Sequence, residues 1–229
     1  MNVFKIAQKT TKGQTTRAEL LEISLRLFRE GGFDATTMRD IASTAGMSLG
    51  AFYYYYPSKD SIVLDYYRQV QDEHVKRVTE RASEATDLRG RLGLLVHQKI
   101  DIVADSREFI GALLRYTGNP DHPLSFLGEG TGRIRNETIA MFHDALQPEH
   151  MPEDLMQMLP LLLWALHMGI LLYFLYDKSP SQQRTRKLID MALDFTVRMI
   201  SVSKIPIFRP VRKTLRGMLQ EAGFIPATI

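Results

Sequence analysis

Apolar residues recur at helical spacing through most of the chain, and nowhere alternate in a strand-like pattern of any length. Between Arg17 and Glu30, Leu20, Ser24, Leu27 and Phe28 share one face, with Leu21 and Ile23 beside it. That period predicts an amphipathic helix. Thr15 or Thr16 is placed to cap it, Glu19 stands three residues after Thr16, and Gly31 and Gly32 end it. Phe33 supplies a new apolar anchor. Thr36 or Thr37 then caps a short second helix, with Asp40 as partner and Ile41, Met38 and Ala45 facing inward. Gly46 breaks that helix. Ser48 caps a third short helix that ends at Tyr54 or Tyr55, because Pro57 drives the residue before it out of the α region. Ser58 caps a long fourth helix that starts at Lys59.

Beyond residue 80 the pattern stays helical. Leu92, Leu95, Val96, Ile100 and Val103 mark a helix over 90–104, and Phe109, Leu113 and Leu114 mark one over 106–116. The stretch TGNPDHP at 117–123 reads as a loop. Another helix is expected over 130–146. Residues 158–176, MLPLLLWALHMGILLYFLY, hold no Asp, Glu, Lys or Arg. The run is long enough to span a bilayer. A central His167, Pro160, Gly169 and the lack of a second such run favour a helix buried on nearly all sides instead, with no membrane involved. Such a helix in a chain of 229 residues needs a partner to cover its second face. Residues 181–203 carry a stripe of Leu188, Ala192, Phe195 and Met199, widened by Ile189 and Leu193. Two long antiparallel helices, near 155–177 and 181–203, can pair with their two-fold copies as a four-helix bundle, so a homodimer is expected.

Composition narrows the chemistry. There is no cysteine, which removes thiolate zinc sites, disulfides and thiol redox sensing. The first residues lack a signal-peptide core, so a cytoplasmic protein is expected. No nucleophile stands with a base at motif spacing, and no phosphate-cradling glycine loop is present, so no enzyme is expected and no catalytic residues are assigned. His97 and Asp101 are four apart, but two ligands do not make a metal site. The net charge of +3 divides unevenly. Residues 1–60 carry +2, residues 61–203 carry −3 and residues 204–229 carry +4. Basic ends suit an anionic polymer, and equally suit solubilising tails. Two short helices joined at Ala45, Gly46 and Met47 form a helix-turn-helix by spacing, though any small three-helix unit has similar spacing.

The residues at 16–66 carry more than spacing. Arg17, Leu20–Leu21, Leu27–Phe28, Gly32–Phe33, Thr36–Thr37, Ile41–Ala42, Ala45–Gly46–Met47–Ser48, Gly50, Tyr53, Tyr55–Tyr56 and Ser58–Lys59 stand in register with one pattern. Over this stretch the chain resembles the DNA-binding domain of the tetracycline-repressor family. Departures are Ser24 where alanine is usual, Leu49 where a polar or basic residue often meets DNA, and Tyr56 for phenylalanine. The resemblance implies an all-α fold: a three-helix DNA-binding domain over 17–58, behind a basic arm at 1–16. A larger helical ligand-binding and dimerisation domain follows over 59–203, and then a basic extension at 204–229.

The resemblance also implies roles. The third helix enters the major groove of a double-stranded operator, and two copies meet grooves one turn apart, about 34 Å. Leu49 and Ala51 face the groove, Gly50 permits close approach, and Thr37, Thr44 and Ser48 offer hydroxyls to phosphate or base. Lys59 is the expected phosphate contact at the start of the fourth helix, and Arg17 and Lys12 reach the backbone or minor groove. By helical angle alone, Phe52 and Tyr56, four apart, turn to the core, with the Tyr56 hydroxyl at its rim. Tyr53, Tyr54 and Tyr55 fan outward towards phosphates. The function implied is a dimeric repressor released by a small molecule, the alternative being an activator or architectural DNA binder. The effector is expected among polar groups of the body: His97, Asp101, Arg115, Tyr116, Arg133, Asn136, His143 and Tyr173, with Trp164 beside them. Above all it is expected at His167, whose surroundings are so apolar, the alternative being a histidine bonded to its neighbours or across the dimer.

Overall fold

A computed structural model describes residues 12–226, with side chains from Thr16 onward. Residues 1–11 of the expected arm, and the side chains of Lys12 and Thr15, lie outside the described residues. Ten α-helices and no strand occur among the described residues. They are α1 Lys12–Gly31, α2 Met38–Thr44, α3 Leu49–Tyr55, α4 Lys59–Arg81, α5 Leu88–Val103, α6 Arg107–Thr117, α7 Gly132–Leu146, α8 Glu153–Tyr176, α9 Gln183–Ser203 and α10 Arg209–Glu221. The all-α reading holds. α1 starts at Lys12, so Thr15 and Thr16 lie inside the helix rather than capping it.

The chain packs as two units. Unit 1 holds residues up to Arg68 together with Glu108–Thr131, and unit 2 holds Gln69–Arg107 and Gly132 onward. The division falls inside α4, later than the expected one at 58 and 59, and α6 with its following loop belongs to unit 1.

In unit 1 the local chemistry of the sequence is realised closely. Gly32, at φ +84°, ends α1, a left-handed conformation that side chains strain to adopt. Thr37 and Asp40 form a reciprocal capping box at α2, and the Ser48 hydroxyl accepts from the Ala51 amide at α3. Gly46, at φ +66°, turns the chain between α2 and α3. The face of α1 is shifted from the expected one: Leu25 is buried with Leu20, Leu21 and Phe28, while Leu27 and Ile23 are half-buried. In α2 Ala42 joins Ile41 in the core in place of Met38 and Ala45. Ser24 is fully buried, and its hydroxyl donates to the Leu20 carbonyl (2.6 Å), so the departure from alanine leaves no polar group unpaired.

In unit 2, α8 packs on α5, α7, α9 and α10. By length and composition alone α8 could cross a membrane. Its burial of Leu155, Met158, Leu163, Trp164, Ile170 and Phe174 makes it the central helix of this unit. The turn into α9 is locked by Asp177, whose carboxylate accepts from the Ser179 amide and from the amide and hydroxyl of Thr185. The basic extension is not a loose tail over its described length. α10 docks through Arg212, which is buried, bonds Asp154 at 2.6 Å and donates to the Ser203 carbonyl.

Candidate nucleic-acid interface and ligand site

α2, α3 and the start of α4 form the surface that the sequence singles out. α3 buries Phe52 fully, and Tyr56, its C-cap, is also fully buried with its ring 5.9 Å from that of Phe52. The opposite face of α3 is open. Gly50 and Ala51 are exposed, Tyr53 is 46% exposed and Tyr54 85% exposed, whereas Tyr55 is half-buried. Nothing lies within 4 Å of the position a Gly50 side chain would take, so this face is smooth and free of its own fold.

The Tyr56 hydroxyl sits deeper than the rim. It donates to Asp65 at 2.6 Å and lies 3.2 Å from the Arg17 carbonyl oxygen. Burial, and then the neighbouring Asp65 carboxylate, hold this phenol far above its ordinary value. Arg17 closes the same knot: Nε donates to Asp65 (2.8 Å), a second nitrogen donates to the Tyr55 carbonyl (3.0 Å), and its guanidinium stacks over the Tyr56 ring. The Arg17 head is thus occupied in pinning α1 to α3 and α4. Lys59 is also engaged. Its ammonium donates to the carbonyls of Phe33 (2.7 Å) and Asp34 (3.2 Å) and lies over the Phe33 ring. An ammonium has three donors, so one remains for an outside acceptor. Thr44 returns its hydroxyl to the Asp40 carbonyl, and Thr37 and Ser48 serve as caps, all three exposed. Leu49 is half-buried beside them.

The residues expected to line a ligand site stand in varied surroundings. Arg115 and Tyr116 lie in unit 1, where both bind the Asp34 carboxylate, and Arg115 also stacks on Tyr116. His97 and Asp101 make contacts between α5 and α9: His97 Nε2 lies 3.2 Å from Asp190, and Asp101 pairs with Arg186 at 2.7 Å. Arg133 pairs with Glu137 on an exposed face, Asn136 is exposed, and His143 faces Asp144 and Gln147 near the surface. Tyr173 is 39% exposed. The physical reason is common to them: each is an amphipathic polar group that finds a partner or water at a helix surface. His167 and Trp164 are buried, as their apolar neighbours require.

His167 is not the sole polar group buried in this unit. Gln71 and His74 of α4, Lys99 of α5 and Thr138 of α7 are all buried in unit 2 as well. Lys99 Nζ donates to Gln71 Oε1 at 2.9 Å, and the Thr138 hydroxyl lies 3.1 Å from the same oxygen. The Gln71 amide donates towards the Met141 sulfur. His74 Nε2 lies 2.8 Å from the Leu95 carbonyl oxygen. A carbonyl only accepts, so His74 carries its proton on Nε2 and turns a bare Nδ1 inward. The Nδ1 atoms of His74 and His167 are both buried without a hydrogen-bond partner. The His167 ring packs against Phe142 at 5.9 Å. Burial pushes the Lys99 amine down to about 7. Burial, and then the charge of Lys99, push both imidazoles well below their ordinary range. A signal for Lys99 existed in the sequence: it falls seven residues after Leu92 and one turn before Val103, on the apolar stripe of α5.

On unit 2, the other side of α8 and α9 is apolar and uncovered. α9 presents Leu188, Met191, Phe195, Met199 and Val202 at spacings of three and four, and α8 presents Leu172, Tyr173 and Tyr176. The buried face of α9 is Thr185, Ile189, Leu193 and Ile200, so Leu188, Phe195 and Met199 of the expected stripe point outward.

A helix-turn-helix with an open third helix, followed by a helical body, defines a DNA-binding transcription regulator. The family model described as bacterial regulatory proteins, tetR family, matches residues 20–66, and that described as the tetracyclin repressor-like C-terminal domain matches residues 91–224. The chain belongs to the tetR family of bacterial transcriptional regulators. Among curated relatives, the repressor KstR2 of Rhodococcus jostii is 33% identical over 121 residues, 48% of this chain and 59% of the relative. The regulator TtgR of Pseudomonas putida is 33% identical over 99 residues, 42% of this chain and 47% of the relative. The chain thus spans about half the length of the curated relatives it matches. Among solved structures, a TetR regulator from Nitrosomonas europaea superposes with a TM-score of 0.61 at 15% identity, covering 79% of this chain and 97% of that one. FadR from Thermus thermophilus, a repressor in complex with lauroyl-CoA, gives 0.55 at 19% identity, covering 80% and 92%. At these identities the two structures establish the fold.

Proposed function

We propose that the chain is a repressor that binds a palindromic operator as a homodimer and leaves it when a small molecule enters unit 2. The observation that carries this reading is the outer face of α3. Gly50, Ala51, Tyr53 and Tyr54 are presented to the outside, the Tyr54 ring meeting that of Tyr55 edge-on. A smooth, aromatic-edged helix fits a major groove: small residues let the backbone approach, Ala51 and Leu49 meet thymine methyls, and phenol hydroxyls donate to phosphates. Lys59 adds its third donor beside them.

The uncovered apolar stripe on α8 and α9 supports a two-fold helical interface, since an exposed patch of that kind marks an association surface. The buried polar group of unit 2 supports an effector site between α4, α5, α7 and α8. That the T. thermophilus neighbour holds lauroyl-CoA supports a small-molecule site in a body of this fold. The chemistry of the ligand here must come from this chain's own residues.

Tyr54→Ala tests the reading face with little risk to folding, because the side chain is 85% exposed and exposed substitutions usually change stability by under ~0.5 kcal/mol. Loss of a hydrogen bond to a charged phosphate should weaken operator binding about tenfold or more, measured by fluorescence anisotropy on a labelled operator fragment. Unchanged affinity would remove α3 from the interface. Lys59→Ala is a poorer probe, because it also frees two loop carbonyls.

A further inference from the structure

Three basic side chains from three helices are buried in unit 2. His74 and Gln71, one turn apart on α4, meet the Leu95 carbonyl and Lys99, one turn apart on α5. His167 packs on Phe142, one turn from Thr138, which bonds the same Gln71 oxygen. Lys99 is 7% exposed, His74 1% and His167 2%. Gln71 is the hydrogen-bond partner of the Lys99 ammonium, and no carboxylate pairs with it among the described residues. Burying an amine without a counter-charge is costly, and a methionine or leucine would fill the same stripe without that cost. The two imidazoles each leave a ring nitrogen unpaired. Native interiors rarely tolerate one such atom, and an unpaired cluster calls for a missing partner. The other groups facing Lys99 are neutral: Gln71 from α4 and Thr138 from α7. The charged residues of α9 that meet α5 are turned elsewhere, Asp190 and Asp194 to Arg89 and His97, and Arg186 to Asp101.

We infer that the Lys99, His74 and His167 cluster seats the carboxylate of an amphipathic organic acid, and that such an acid is the effector. This rests on the reading of unit 2 as the effector-binding body. One carboxylate oxygen accepts from Lys99 and the other from an imidazole N–H, which pairs the ammonium and one of the two open ring nitrogens. The rest of the acid is apolar, because the cluster's other neighbours are Phe142 and Met141, with Leu163 and Ile170 one helical turn from His167. A carboxylate arriving among partly unprotonated bases draws protons onto Lys99 and an imidazole, so binding takes up protons from solvent near neutral pH.

The probe is sodium decanoate set against 1-decanol, which has the same chain and no charge. Trp164, the single tryptophan, lies one turn from His167 and reports occupancy by its fluorescence. The expected result is saturable binding of decanoate at least about tenfold tighter than of 1-decanol. Calorimetry in two buffers of different ionisation heat should record net proton uptake. Lys99→Met, checked for folding by its thermal melt, should abolish the preference for the acid. Equal binding of acid and alcohol, or no binding of the acid, in the wild-type chain overturns the inference without recourse to any variant. So does a preference that survives Lys99→Met. Operator release is followed on the same samples. Selective decanoate binding without release would leave the carboxylate seat standing and sink the repressor-release reading. Release by an uncharged ligand with no preference for the acid would do the reverse.

Discussion

Lowering the pH from 7 to 5 is expected to remove about 4 kcal/mol of stability from unit 2. The cause is the pair His74 and His167. Both are held far below the ordinary value of 6.5, His167 at about 3, first by burial and then by the charge of Lys99. The sign follows from proton counts. As pH falls through 6.5, both imidazoles protonate in the unfolded chain while both stay neutral in the folded one. The unfolded state therefore binds more protons, and each decrement of pH favours it, by roughly 1.4 kcal/mol per unit for each histidine. Lys99 acts in the same sense above neutrality. Its amine loses its proton near 7 when folded and near 10.5 when unfolded, so stability should rise by about 2 kcal/mol between pH 7 and 9. Urea titrations followed by Trp164 fluorescence at pH 5, 7 and 9 measure all of this. A midpoint that stays level from pH 7 to 5 would mean that the imidazoles are not held neutral in the interior. Replacing His167 by Leu should roughly halve the acid slope.

Phe52→Ala should cost about 3–5 kcal/mol and abolish operator binding at 37 °C. Phe52 is fully buried on a helix of seven residues, too short to persist without its tertiary contacts. Its ring packs on Tyr56, whose hydroxyl ties α3 to Asp65 of α4. Removal of the ring leaves a cavity under the reading helix, so the loss in affinity comes through disorder of α3, with no groove contact touched. The contrast with Tyr54→Ala is diagnostic. Phe52→Ala should lower the melting temperature together with affinity, whereas Tyr54→Ala should lower affinity alone. A Phe52→Ala variant that melts like the wild type would contradict the packing described for α3.

The DNA-binding half was legible because its signals are local. A capping threonine with its aspartate, a serine before a short apolar turn, glycines at positive φ and a proline after the tyrosines each act within a few residues. Their spacing carried the family resemblance as well. The two basic residues there were less legible. Arg17 and Lys59 read as phosphate contacts, yet the fold draws both heads onto carbonyls and a carboxylate of unit 1. Such partners stand 25 to 48 residues away, beyond any local pattern. The ligand region was read least well, for the same reason. Polar residues on α4 such as Gln71 and His74 look like a solvent face until α5, α7 and α8 cover them. Lys99 was passed over although a lysine on an apolar stripe is visible in the sequence. α10 was missed because its charge hid a buried Arg212.

A footprint tests most directly whether the protein reads DNA as a two-fold dimer. The purified chain would be used to select fragments of bacterial genomic DNA, and the tightest would be probed by hydroxyl-radical cleavage. The expected protection is two-fold symmetric over an inverted repeat, with half-site centres one helical turn, about 34 Å, apart. It should weaken as salt is raised. Protection of a single asymmetric half-site, or uniform protection without sequence preference, would contradict it.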